Sequence, residues 1–367
     1  MNIYIPLGLI LAFICYISSG SSKTSEKFFL FCMTIACGFM AIRYEFGPDY
    51  FSYRDIYERD LSFSSLSDLF SGSSEYSLEP TFNFILHLFP KFTYFIVFAT
   101  ILWFTANYLF YSKYVEQKYY WFLMLYMFLN MNCILNNSVA LRTSFAAVSF
   151  IPAFYFLQNN KRILFILFVA LGALFHTSTI ALAILVILRK SKKSILLNRA
   201  FVTVCFVISL VIILTGTNFI FDSVAGYLIG EVEQFARYAN YDVAVSSSIN
   251  AFIFKILIFV PLLFIINAAE KEEDERFFIV YKIAIIVGVL LLILGQNILS
   301  DRFLMILSPF YIAAIIRSFR FNTPPINYIN VIIALVVSCY MLYNQMNASY
   351  AVSWQVYHTV FSAPTIP

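Results

Sequence analysis

Residues 43–60 read Arg-Tyr-Glu-Phe-Gly-Pro-Asp-Tyr-Phe-Ser-Tyr-Arg-Asp-Ile-Tyr-Glu-Arg-Asp and follow directly on an apolar run. Guanidinium groups, carboxylates and phenols alternate there around a Gly47-Pro48 turn. A hydrocarbon core solvates none of these charges, so the segment must face water or a lined cavity. An arginine fork grips phosphate oxygens bidentately and stays charged. A carboxylate can take a hydroxyl proton, and tyrosine rings pack on sugars. Gly47-Pro48 forces a turn that presents Asp49 at a fixed place beside the helix end. This set of groups suits chemistry on a polar substrate carried by a lipid.

Other ionisable groups stand at the ends of apolar runs: Glu79, Arg142, His176, Lys255, Asp301 and Arg302. Arg142 heads one run behind Asn136-Asn137-Ser138, which argues for a polar cavity around an anion clamp rather than plain snorkelling. Asp301 and Arg302 either neutralise each other or offer Arg302 as a second clamp. His176 lies deep in an apolar segment, and a broken helix at that depth usually lines a cavity. Asp49 and Glu79 are candidates for the general base on an acceptor hydroxyl, the alternative being a solvated acidic loop. Asp55, Glu58, Arg59 and Asp60 read as solvated, Lys255 as snorkelling, and His87 and His358 as structural.

The elements that must position these groups are membrane helices. Charged residues make up 12% of the 367, against about a quarter in soluble domains, and mean hydropathy is +0.81. The fold class expected is an all-α polytopic membrane protein, one integral membrane domain over residues 1–367. Apolar segments recur at 3–18, 28–42, 92–111, 119–135, 139–157, 163–188, 200–219, 250–268, 277–298, 303–316 and 326–344, giving about 11–12 transmembrane or re-entrant helices. Segment 80–90 is apolar but too short to cross. The first run has neither a basic flank nor a clear cleavage site and reads as a retained span.

The net charge of +4 is small, and Lys and Arg sit in short loops beside the spans, which marks topology rather than a nucleic-acid surface. Placing 189–199, with Arg189, Lys190, Lys192, Lys193 and Arg199, on the inner side puts both termini outside. Residues 43–80 and 219–249 then form acidic outer loops. Segment 163–188 has basic residues at both ends, so it is expected to be a re-entrant hairpin broken near Ala173–Ser178. Its arms of about 12 residues would reach roughly 18 Å. The alternative is one tilted helix with a shifted topology downstream.

Six cysteines lie in or beside apolar runs without CxxC or metal-ligand spacing and read as small packing residues. There is no GxxxxGK[ST], no GxGxxG and no HExxH, so no nucleotide loop, metal or other cofactor is expected. A donor already carrying a good leaving group would suit such a site.

Arg43-x-x-x-Gly47-x-Asp49-Tyr50-x-x-Tyr53, Glu79-Pro80, Arg142 and Phe175-His176-x-Ser178 together resemble the EpsG-like branch of bacterial polysaccharide polymerases, related in role to the Wzy O-antigen and capsule polymerases. Thr143 departs from the Gln often found after the arginine. The resemblance implies a GT-C-like glycosyltransferase of the bacterial inner membrane. Such an enzyme joins undecaprenyl-diphosphate-linked oligosaccharide repeat units at the outer face, with membrane lipid around it and a chain-length regulator protein as a partner. In that scheme Arg142 and Arg302, with Arg43, hold the diphosphate. Asp49, Glu79 or His176 serves as the base, and Tyr44, Tyr50 and Tyr53 shape a sugar groove. Two rivals stay open: a transferase adding one sugar from a polyprenyl-phosphate donor, and a non-enzymatic transporter or flippase for lipid-linked sugars. Against the transporter, the hydropathy shows no obvious duplicated halves and the outer charges cluster on one face.

Overall fold

The computed structural model describes residues 3–20, 22–60, 79–215, 249–294, 298–346 and 358–359. Residues 61–78 and 219–248 of the two expected outer loops lie outside the described residues. The described residues are mostly helical. The helices are α1 (Tyr4–Ile17), α2 (Ser22–Ala41), α3 (Pro48–Asp60), α4 (Pro80–His87), α5 (Phe92–Tyr114), α6 (Tyr120–Leu129) and α7 (Ile134–Val139). After these come α8 (Leu141–Gln158), α9 (Arg162–Ala173), α10 (Arg199–Thr215), α11 (Ile249–Lys271), α12 (Glu275–Leu294), α13 (Ile298–Ser318) and α14 (Pro324–Met346). Among the described residues the one β ladder is a two-residue antiparallel pair, β1 (Arg43–Tyr44) with β2 (His358–Thr359).

Among the described residues, five helical stretches are long and apolar enough to cross a bilayer: Lys23–Ala41, Phe92–Tyr114, Asn250–Lys271, Glu275–Leu294 and Pro324–Asn344. At 1.5 Å per residue, about 20 residues match a hydrocarbon core of about 30 Å. Large apolar side chains point outward as well as inward; Phe13, Ile163, Ile184 and Leu214 are each more than half exposed. Water would expel such a surface and lipid solvates it, so this is a polytopic membrane protein.

The residues group into two compact units, 1–188 with 305–309 and 338–367, and 189–304 with 310–337. In the first unit α1 packs on α6 and α2, α2 on α5, α5 on α8, and α8 on α9. Two breaks shape it. The apolar run 119–135, expected as one span, divides into α6 and α7 because asparagine side chains compete with the helix. Asn130 Oδ1 accepts from the Asn132 backbone N–H at 3.0 Å, and Asn136 Nδ2 donates to Asn132 Oδ1 at 2.7 Å. The run 163–188 is interrupted after Ala173: His176 is extended (φ −153°, ψ 107°), and Thr177–Ile187 continue as a 3₁₀ arm lying against α9. A Cβ at Gly172 would sit 3.0 Å from Thr179 Cγ2, so the absent side chain lets the arms close on each other.

In the second unit α10, α11 and α12 pack together. Glu272, between α11 and α12, receives Arg317 Nε at 2.7 Å, Arg317 Nη2 at 2.9 Å and Tyr281 Oη at 3.1 Å. Burial would raise its carboxyl, but hydrogen bonds from Arg317 and the Asp274 backbone and the Arg317 charge outweigh that and hold it below the ordinary range. Lys255 does not snorkel outward as its position near a helix end suggests. It is buried, and its ammonium donates to the carbonyls of Leu291, at 2.9 Å, and Leu292. These belong to the last four carbonyls of α12, which have no partner within the helix, so the ammonium acts as a C-terminal cap.

Candidate active site

Glu79 occupies the N-cap position of α4, with Pro80 following as the first helical residue. Proline suits that place because its missing N–H would be unpaired anyway. The Glu79 side chain makes no cap hydrogen bond to its own helix and turns elsewhere. Its Oε2 accepts from Arg142 Nη1 at 2.9 Å. Its Oε1 accepts from the Thr177 backbone N–H at 3.2 Å and stands 3.6 Å from His176 Nδ1. One carboxylate therefore joins the start of α4, the start of α8 and the break between α9 and its 3₁₀ arm.

The side chains of Glu79, Arg142 and His176 are 12%, 23% and 5% exposed, so the cluster is largely dry but open at the guanidinium. Burial alone would raise the Glu79 carboxyl. The His176 imidazole and the Arg142 charge outweigh it, and the group is held down at about 2. Glu79 is thus a fixed anion at neutral pH.

Arg142 is the second residue of α8, where the helix end adds partial positive charge. Its Nε donates to Tyr53 Oη at 3.4 Å, and Nη1 is held by Glu79. Among the described residues Nη2 makes no hydrogen bond, which leaves one edge of the fork for an anion. Beneath lies an aromatic floor: Phe145 stacks on Phe175 with centroids 5.1 Å apart, and Phe82 contacts Tyr53 at 5.3 Å. Phe145 is one turn beyond Arg142 and Phe175 directly precedes His176, so this stack ties the start of α8 to the segment that carries the imidazole.

The other residues singled out from the sequence fall in different places. Asp49 lies in the first turn of α3, partly buried, behind Pro48 at the helix start. Tyr44 is partly exposed, and its phenol accepts from Arg54 Nη1 at 3.3 Å. Tyr50 and Tyr53 do not line an open groove; each is 3% exposed and belongs to the aromatic core. Arg43 is not presented to a ligand either. It is 1% exposed, and its guanidinium donates to Met40 O, to Thr100 Oγ1 at 2.8 Å and to Ser138 O. Arg302 lies in the first turns of α13, partly buried, in the second unit.

In the Asn136-Asn137-Ser138 run, Asn136 bonds the Asn132 side chain and Asn137 serves backbone groups. Asn137 Nδ2 donates to Asn132 O and Cys133 O, each at 2.9 Å, and to Met305 O at 3.2 Å. The pairing of Glu79 with Arg142 and the Thr177 N–H on Glu79 were not read from the sequence. The one signal for the pair was opposite charge at two helix starts, 63 residues apart. Among the described residues no group of three or more His, Cys, Asp or Glu converges as a metal site would require.

Compared with protein-family models, the chain matches that of the EpsG family over residues 26–359, nearly its whole length. The chain belongs to the EpsG family. The EpsG-family match covers every site residue named above, Arg43 to Arg302, and makes this a polysaccharide polymerase-like membrane protein. Neither the curated proteins nor the solved structures gave a significant match.

Proposed function

We propose that this EpsG-family protein is a membrane glycosyltransferase that polymerises undecaprenyl-diphosphate-linked oligosaccharide repeat units at the outer face of the bacterial cytoplasmic membrane. The observation that carries the reading is the Arg142–Glu79–His176 contact, an anion clamp and a proton acceptor held by one carboxylate in a largely dry site. The open edge of Arg142 takes phosphate oxygens of the donor and stabilises charge building on the leaving diphosphate. The acceptor hydroxyl oxygen attacks the anomeric carbon, the bond from that carbon to the phosphate oxygen breaks, and the diphosphate departs with the electron pair. His176 takes the hydroxyl proton. Glu79, held at about 2, is too weak a base for that step and instead fixes the imidazole and the guanidinium. Asp49 is kept as a contact to the acceptor sugar, and Arg302, in the second unit, as an anion contact of its own. A chain-length regulator protein would act on product size without entering this chemistry.

The test is reconstitution of the purified protein with a defined lipid-linked repeat unit, with product size read on a gel. Wild type yields a ladder of repeat units, and Arg142→Ala reaches the membrane at normal level but adds none. Full-length polymer from Arg142→Ala would overturn the assignment. Addition of one sugar without a ladder would select the single-sugar transferase, and an unchanged number of glycosidic bonds would select a transporter.

A further inference from the structure

Arg43 and Gly47 open the motif at 43–53, and their types invite a substrate-binding reading. Their contacts lead elsewhere. Arg43 is 1% exposed, so no ligand reaches its fork. Nη2 donates to Ser138 O on α7, while Nη1 donates to Met40 O at the end of α2 and to Thr100 Oγ1 on α5, the latter at 2.8 Å. Gly47 has φ +91°, and a Cβ there would fall 2.2 Å from Val139 Cγ2. The backbone of the turn is therefore pressed flat against Val139, and only glycine permits both the dihedral and the approach. Six residues on, Tyr53 Oη accepts from Arg142 Nε at 3.4 Å.

These three contacts run in register. Positions 43, 47 and 53 meet positions 138, 139 and 142, in that order. Between 139 and 142 the chain leaves helical geometry at Ala140 (ψ 71°) and restarts as α8 with Arg142 its second residue. A guanidinium within two residues of a chain break has its direction set by the angle of that break. Ser144 Oγ, which donates back to Asn137 O and to Asn137 Oδ1 (3.3 Å), holds the break from the α7 and α8 side. The 43–53 segment holds it from the other side.

We propose that Arg43 and Gly47 are positioning residues: they clamp the α7–α8 break and so aim Arg142, and neither touches substrate. The proposal rests on the functional reading above only in giving Arg142 a task; the clamp itself is independent of that reading. Lysine cannot replace Arg43, because one ammonium cannot serve acceptors on three helices at the spacing of a planar fork. Alanine cannot replace Gly47, because it meets Val139.

The test uses full-length protein in nanodiscs and has two readouts. The first is the rate at which a water-soluble maleimide labels the thiol introduced by Arg142→Cys, over the background of the same protein with Arg142 intact. Adding Arg43→Lys or Gly47→Ala changes that rate at least threefold. The second is steady-state elongation with Arg142 present. Arg43→Lys lowers kcat tenfold or more and leaves KM for the lipid-linked unit within about twofold. Unchanged labelling overturns the clamp. A raised KM with kcat retained also overturns it and returns Arg43 to the substrate. If Arg43→Lys does not accumulate, Thr100→Val removes one anchor of the fork and must move both readouts in the same direction by a smaller factor; no movement overturns the proposal. Should wild type elongate nothing while labelling responds as stated, the functional reading fails and the clamp stands.

Discussion

Glu79→Gln isolates the charge that joins the site. Glutamine keeps the shape and one acceptor oxygen, so the start of α4 and the Thr177 N–H lose little. The charge is what goes. A carboxyl held at about 2 instead of 4.5, although burial opposes ionisation, is favoured in its charged form by about 3 kcal/mol. That stabilisation is shared with Arg142 and His176, the two groups to which the proposed transfer assigns the anion and the proton. If it is expressed in the transition state, its loss slows turnover by about 100-fold. Substrate KM should move little, because the free edge of Arg142 still faces the donor. Single-turnover elongation by reconstituted protein, with donor in excess of KM, measures the effect. Elongation within twofold of wild type would refute the role given to the carboxylate. The pH dependence follows in sign: the folded-state value is depressed, so the ionised contacts are present above about 4.5 and are lost only as pH falls through about 2. Any activity limb between pH 5 and 8 belongs to another group.

Two other substitutions follow from the geometry. Tyr53→Phe removes the oxygen that receives Arg142 Nε and nothing of the ring packing on Phe82; one hydrogen bond of about 1 kcal/mol predicts a fivefold fall in kcat, and a fall beyond 100-fold would show the phenol doing more than orienting. Glu272→Ala leaves Arg317, itself buried and 4.1 Å over the Phe277 ring, without its carboxylate. Stranding a buried charge should cost roughly 3–5 kcal/mol, visible as a lowered melting temperature in detergent; a melt unchanged from wild type would remove the pair from the stability of the second unit. Because the Glu272 carboxyl is lowered, the difference between wild type and variant should be full at neutral pH and shrink in acid, below the ordinary carboxylate range.

The sequence by itself determined the solvent and the repeating element. Apolar runs of near-constant length, 12% charge and basic short loops leave helices in a bilayer as the one arrangement that satisfies every backbone group. It also showed where helices fail: Pro80 starts one, and the Ala173–Ser178 run ends another. Arg142 and His176 were legible as functional candidates because a charge or an imidazole in an apolar run needs a reason. What the sequence could not show was which charges meet. Glu79, Arg142 and His176 lie 34 to 97 residues apart, and only the packing of α4, α8 and the α9 break brings them within 3.6 Å of a common carboxylate. Nor could it separate an arginine that faces a ligand from one sealed among carbonyls. Arg43 and Arg142 look alike as residue types, and burial alone decides between them: 1% exposed with its fork divided over α2, α5 and α7, against 23% with an edge left open. The asparagines before Arg142 and the tyrosines after Asp49 were misjudged for the same reason. A polar or amphipathic side chain serves a backbone carbonyl, a ring stack or a substrate equally well, and the choice is made by neighbours distant in the chain.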